Sequence, residues 1–150
     1  MRRTDGPFPI WEIIPGQLYQ RGKLHDMPLD RKTAGLLYYG ITHAVALAPP
    51  SPDPDIDLFV RYTHLPIPDG RLRNNGELIR LAIGLAEEMR GGGVVMTMCN
   101  AGRNRSGLLS ALILREYRGF TGPYAMTEVR KHRPRALDNA AFAAWLEDLP

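Results

Sequence analysis

The run VVMTMCNAGRNRSGLLSALILREYRG, residues 94–119, constrains the fold of this chain more than any other stretch. VVMTM (94–98) reads as a short buried strand. SGLLSALILREYRG (106–119) is apolar on most sides over its first two turns, which predicts a helix central in the core. Only Cys99 to Arg105 separates the two. A buried strand that feeds a buried helix through so short a loop belongs to a layered α/β architecture.

The flanking sequence repeats the alternation. WEIIPGQLYQRG (11–22) reads as two short strands around a Pro-Gly turn, and LDRKTAGLLYYG (29–40) as a helix closing on Gly40. ITHAVAL (41–47) is a strand, APPSPDPDID (48–57) a loop, and FVRYTHLPI (59–67) a further strand ended by Pro66 and Pro68. Asn74 and Glu77 have capping-box spacing ahead of a helix whose Leu78, Leu81, Ala82, Leu85, Ala86 and Met89 share one face. Gly91–Gly93 break that helix; without a following Lys-Ser or Lys-Thr they form a turn and not a nucleotide loop. Two more helices are predicted over 123–132 and 139–148, the first stopped at Arg133-Pro134. The expectation is one α/β domain over residues 1–150, its central, mostly parallel sheet flanked by helices.

Composition narrows the setting. A chain of 150 residues can bury a core of its own, and no apolar stretch reaches the roughly eighteen residues that a membrane span needs. The N-terminal MRRTDGPFPIW lacks the apolar run of a secretory signal. One cysteine excludes an intramolecular disulfide and fits a reducing, cytoplasmic compartment. The net charge of +3 is too small to imply a nucleic-acid partner. Sixteen of the nineteen basic residues are Arg, which suits bidentate recognition of phosphate or carboxylate and equally fits a GC-rich genome.

The loop between strand and helix carries the chemistry. A helix N-terminus offers unpaired N–H groups and partial positive charge, and a loop wrapping into it can turn its own N–H groups around an anion. Asn100, Ala101, Gly102, Arg103, Asn104 and Arg105 are therefore the candidate phosphate cradle. Gly102 permits the backbone angles required, and Asn104 tolerates them better than most residues. Arg105 adds a planar fork for phosphoryl oxygens, and that field favours a thiolate on Cys99 facing the phosphorus. Ser106 can donate a hydrogen bond to the departing sulfur. Together these residue types describe nucleophilic phosphoryl transfer through a thiophosphate. The plainer reading is an inert core cysteine.

Cys99-Asn-Ala-Gly-Arg-Asn-Arg105-Ser106 resembles the C-x5-R-S phosphate loop of the cysteine-dependent protein tyrosine phosphatases, and the short chain with a mid-chain cysteine resembles their dual-specificity branch. The likeness extends loosely from GQLYQRG to RKHRPRALDNAAFAAWL. A rhodanese-like sulfurtransferase also uses a cysteine loop, but usually a shorter one without the Arg-Ser end. The resemblance implies catalytic roles for Cys99, Arg105 and Ser106. It also implies a phosphorylated protein or small phosphomonoester as substrate, an affinity for phosphate, sulfate or vanadate, and no cofactor. The same chemistry on a phosphoinositide or on RNA 5′ phosphates is an alternative. A phosphate-binding module with little or no catalysis is another, because Met98 stands where the family usually has a histidine.

Ester cleavage of this kind needs a proton donor for the leaving oxygen and a base for water. Asp69, thirty residues before Cys99 in LPIPDG, is the candidate, and the family's acid loop is similar. As a plain turn, Pro-Asp-Gly needs no catalytic role. Asp53, Asp55 and Asp57 are weaker candidates on a solvated loop. Arg71 and Arg73 read as solvated, and Arg130, Lys131, Arg133 and Arg135 as a charged helix C-terminus. His25, His43, His64 and His132 lack metal-ligand spacing. Oligomeric state leaves no mark in the sequence.

Overall fold

A computed structural model of the chain describes residues 2–3, 6–24, 27–49, 55–72 and 75–150. Its elements in chain order are β1 (Arg2–Arg3), β2 (Ile10–Ile14), β3 (Leu18–Gly22), α1 (Leu29–Tyr39), β4 (His43–Ala46) and a 3-10 turn (Ile56–Leu58). There follow β5 (Arg61–His64), α2 (Asn75–Arg90), β6 (Val95–Cys99), α3 (Arg105–Arg118), α4 (Gly122–His132) and α5 (Ala140–Glu147). The fold is α/β, with one six-stranded sheet in the order β1-β2-β3-β6-β4-β5.

The hairpin expected at 11–22 is present, with Gly16 at φ +69° between β2 and β3. From β3 to β5 the sheet is parallel, and β6 lies between β3 and β4. Its neighbours are in register at both sides: Leu18 and His43 face Val95, and Gly22 faces Cys99. The parallel strands therefore end together, and the crevice beyond their carboxyl ends is where α/β sheets bind ligands.

All five residues of β6 are buried, and their alternation feeds two cores. Val95 and Cys99 join a cluster with Leu78, Leu85, Leu108, Leu112 and Phe142, on the side covered by α2 to α5. Met96 and Met98 join the other, with Phe8, Ile10, Leu36 and Tyr39 under α1. Thr97, on the α3 side, satisfies its hydroxyl on Ser110 Oγ at 3.0 Å. The first ten residues of α3, Arg105 to Leu114, are all buried, as its all-round apolar character predicts.

Helix ends follow local chemistry. Gly40 and Gly119 close α1 and α3 in the left-handed conformation at φ +68° and +69°. Thr121 caps α4, and Arg133, extended ahead of Pro134, ends it. Two expectations are trimmed: β5 is shorter than 59–67, and the loop over 48–57 closes in the 3-10 turn. Asn74 of the proposed capping box lies outside the described residues. No described helix is long and apolar enough to cross a membrane.

Candidate active site

Cys99 is the last residue of β6 and is buried. Its Sγ lies 3.2 Å from Ser106 Oγ, and the Ser106 backbone N–H donates to the same sulfur at 3.5 Å. The sulfur is thus pinned at the first turn of α3, where Asn104 occupies the N-cap without capping through its side chain. First-turn N–H groups that are neither capped nor given to the sulfur remain available to an anion.

The chain turns from β6 into α3 at Gly102, whose φ is +68°. A Cβ there would sit 2.5 Å from the Arg21 carbonyl carbon and 2.7 Å from the Gly22 nitrogen, so both angle and space demand glycine. Asn104 differs from its expectation. Its backbone is right-handed, φ −91°, and what it contributes is its side chain.

Arg105 is 7% exposed. Its Nη1 donates to the Ile67 carbonyl at 3.3 Å, while its buried Nε–H has no hydrogen-bond partner among the described residues. A guanidinium anchored at one nitrogen, with another donor unspent, matches the demand of a bidentate oxyanion.

Asp69 is exposed and reaches the cysteine loop through amides. Asn139 Nδ2 donates to its Oδ1 at 2.8 Å, and Asn104 Nδ2 to its Oδ2 at 3.3 Å. Asn139 Nδ2 also reaches the Gly70 carbonyl at 3.2 Å, and the Asn139 backbone N–H donates to Asn104 Oδ1 at 2.9 Å. The remaining side-chain oxygen of Asn139 caps α5, accepting from the N–H groups of Ala141 and Phe142. One asparagine therefore ties the start of α5, the segment carrying Asp69 and the cysteine loop together.

Arg103 turns away from the cradle and pairs with Asp138. A hydrogen bond from Asn104 and then one from the Arg103 guanidinium hold the Asp138 carboxyl below the usual aspartate range. A depressed carboxyl favours the folded state while ionised; that contribution is lost only as pH falls through the lowered value, so the pair is intact at neutral pH.

The other candidates lie elsewhere. Asp55 pairs with buried Lys32 at 3.5 Å, and Asp57 lines a surface groove with His43, Arg61 and Arg80. Arg71 is exposed, whereas Asp53, Arg73 and His25 lie outside the described residues. Arg133, expected as part of a charged helix C-terminus, in addition donates from Nε to the Gly102 carbonyl at 3.0 Å and from Nη2 to the Ala101 carbonyl at 3.3 Å. Sequence reasoning also missed Gln20, whose Nε2 donates to the same Gly102 carbonyl at 3.0 Å. It passed over Asn139 as well, whose signal was an asparagine at a helix start.

No protein-family model matches the sequence, and no curated protein matches it either. Solved structures do match by fold. Human DUSP28 is 20% identical with a TM-score of 0.73, over 92% of this chain and 90% of that one. A mouse putative dual specificity phosphatase, complexed with zinc tungstate, is 23% identical with a TM-score of 0.74, over 98% and 89%. Tk-PTP in its active form is 25% identical with a TM-score of 0.73, over 93% and 95%. The chain thus shares the fold of these dual-specificity and tyrosine phosphatases, with a Cys-x5-Arg-Ser loop set between its central strand and its central helix.

Proposed function

We propose that the chain is a phosphomonoester hydrolase that works through a cysteinyl-phosphate, acting on phosphorylated proteins as a tyrosine or dual-specificity phosphatase. The observation that carries this reading is the convergence on one buried sulfur. Cys99 Sγ meets the Ser106 hydroxyl at 3.2 Å at the start of α3, beside an arginine with an unspent donor. The fold shared with dual-specificity phosphatases supports it.

The reaction divides into two displacements. The Cys99 thiolate attacks phosphorus, an S–P bond forms, and the ester P–O bond breaks as Asp69 gives its proton to the leaving oxygen. Loop N–H groups and the Arg105 guanidinium hold the phosphoryl oxygens as their charge redistributes. Water then attacks phosphorus and yields its proton to the Asp69 carboxylate. The S–P bond breaks, inorganic phosphate leaves, and the Ser106 hydroxyl supports the thiolate as it reforms. A lone thiol nucleophile suits a reducing, cytoplasmic compartment.

Release of phenolate from a small aryl phosphate tests this reading. Wild type is expected to turn over, and Cys99→Ser to be inert while still binding inorganic phosphate. Equal inertness of both proteins, with phosphate binding retained, would leave a binding module and overturn the enzyme. Phosphate release from phosphotyrosine, phosphoserine, phosphoinositide and RNA 5′-phosphate substrates then ranks the substrate classes.

A further inference from the structure

The outer side of the cysteine loop is held as deliberately as the inner side. Gln20 lies in the middle of β3, fully buried, in register with Thr97 of β6. It thus shares the face of the sheet that carries Cys99 and α3. Its Nε2 donates to the Gly102 carbonyl, while its buried Oε1 has no hydrogen-bond partner among the described residues. An amide only partly satisfied in a protein interior is a destabilising choice where an aliphatic side chain would pack. Its presence asks for a return elsewhere.

That return is the orientation of the loop backbone. Gly102 O accepts from Gln20 on the sheet side and from Arg133 Nε on the α4 side, each at 3.0 Å. Ala101 O accepts from Arg133 Nη2, and Arg103 O from the Leu137 N–H at 3.3 Å. The guanidinium of Arg133 is itself stacked 4.5 Å over the Trp11 ring. Three consecutive carbonyls are therefore engaged by groups outside the loop. In a trans peptide the N–H points opposite to the carbonyl of the same unit. Holding those carbonyls outward turns the N–H groups of Gly102, Arg103 and Asn104 inward, and none of the three donates to a backbone acceptor among the described residues.

We infer that Gln20, acting with Arg133, is a positioning residue that presets this row of N–H donors for a tetrahedral oxyanion. It touches neither the anion nor the sulfur and works through the Gly102 peptide. The assignment rests on the proposed phosphatase reading, but it concerns anion recognition and can be measured without turnover.

Gln20→Met keeps the volume and removes both the donor and the unpaired acceptor. Its thermal midpoint is expected to equal or exceed that of wild type. Tungstate affinity, measured by calorimetry in a Cys99→Ser background, should fall about tenfold, and kcat for the aryl phosphate by at least as much, because loop donors shift relative to the reacting oxygens. KM should move less than kcat, since the donors matter most as charge develops. Arg133→Met should weaken both in the same direction. The double variant should lose more than the sum, because the two donors share one oxygen.

A folded Gln20→Met protein with unchanged tungstate affinity and kcat overturns the inference. So does an activity loss that only follows a falling thermal midpoint. Should Gln20→Met fail to fold, Arg133→Met decides alone: unchanged tungstate affinity rejects the clamp. If wild type is itself inert toward aryl phosphates, the enzyme reading fails, and the tungstate arm still decides this one.

Discussion

The cysteine loop and the segment from Ile67 to Gly70 meet at Asn104, yet they are held in different ways. The loop is wedged between a fully buried strand and a fully buried helical turn, and its carbonyls are bonded to β3, to α4 and to the chain ahead of α5. The Asp69 segment has one buried anchor, Ile67, whose carbonyl receives Arg105, and beyond it rests on the amides of Asn104 and Asn139. A nucleophile benefits from a fixed cradle, because donors already in place cost no reorganisation when charge develops. The proton donor that the proposed reaction calls for must admit a substrate, and later a water, and benefits from attachments that are few and polar. Rigidity here is a matter of how many elements enclose a residue.

The largest expected effect tests the rigid side. Gly102→Ala places a Cβ against the Arg21–Gly22 backbone at a left-handed φ, so the loop has to rebuild. Aryl phosphatase activity should fall by about a hundredfold or more, as expected when reacting groups are displaced by an ångström. Activity within threefold of wild type would show that the loop yields as readily as the acid segment.

Asp69→Asn tests the other side. Here kcat should fall by about 10²–10³-fold for substrates with poor leaving groups, the range of general acid catalysis. Tungstate affinity should change little. The alkaline decline of kcat/KM should flatten, since a general acid must carry its proton. An unaltered pH–rate profile would remove Asp69 from the role.

The smallest effect sharpens the contrast. Asn139→Ala removes the amide on Asp69 together with the α5 cap. Loss of such a cap costs about 1 kcal/mol of stability, visible as a lower thermal midpoint. An accompanying drop in kcat of roughly tenfold is expected if that amide positions the acid. Kinetics identical to wild type, with only the midpoint lowered, would confine Asn139 to capping.

Much of this was legible along the chain because it is local. Cys99, Arg105 and Ser106 lie within one turn of loop and helix, so their spacing already fixes which of them can meet. The helices ending at Gly40, Gly119 and Arg133 were readable because glycine at a left-handed position and the residue before proline carry their own backbone preference. The alternation of buried strand and amphipathic helix was enough to name the α/β class.

The partners of the loop were not legible, because each comes from a distant segment through a single polar contact. Gln20 is 82 residues from Gly102, and Asn139 is 70 from Asp69. A glutamine in a short strand and an arginine at a helix end look the same in sequence whether they face solvent or a carbonyl. The one hint was positional: Gln20 falls two residues after Leu18 and so shares its inward face of β3. By itself the sequence determined the kind of fold and singled out Cys99 and its loop as the candidate centre, since those follow from neighbours and periodicity. Only the tertiary structure decided what holds that loop and the Asp69 segment in place. Strand register and helix packing bring those groups together, and a one-residue slip in β3 would have turned Gln20 to the other core.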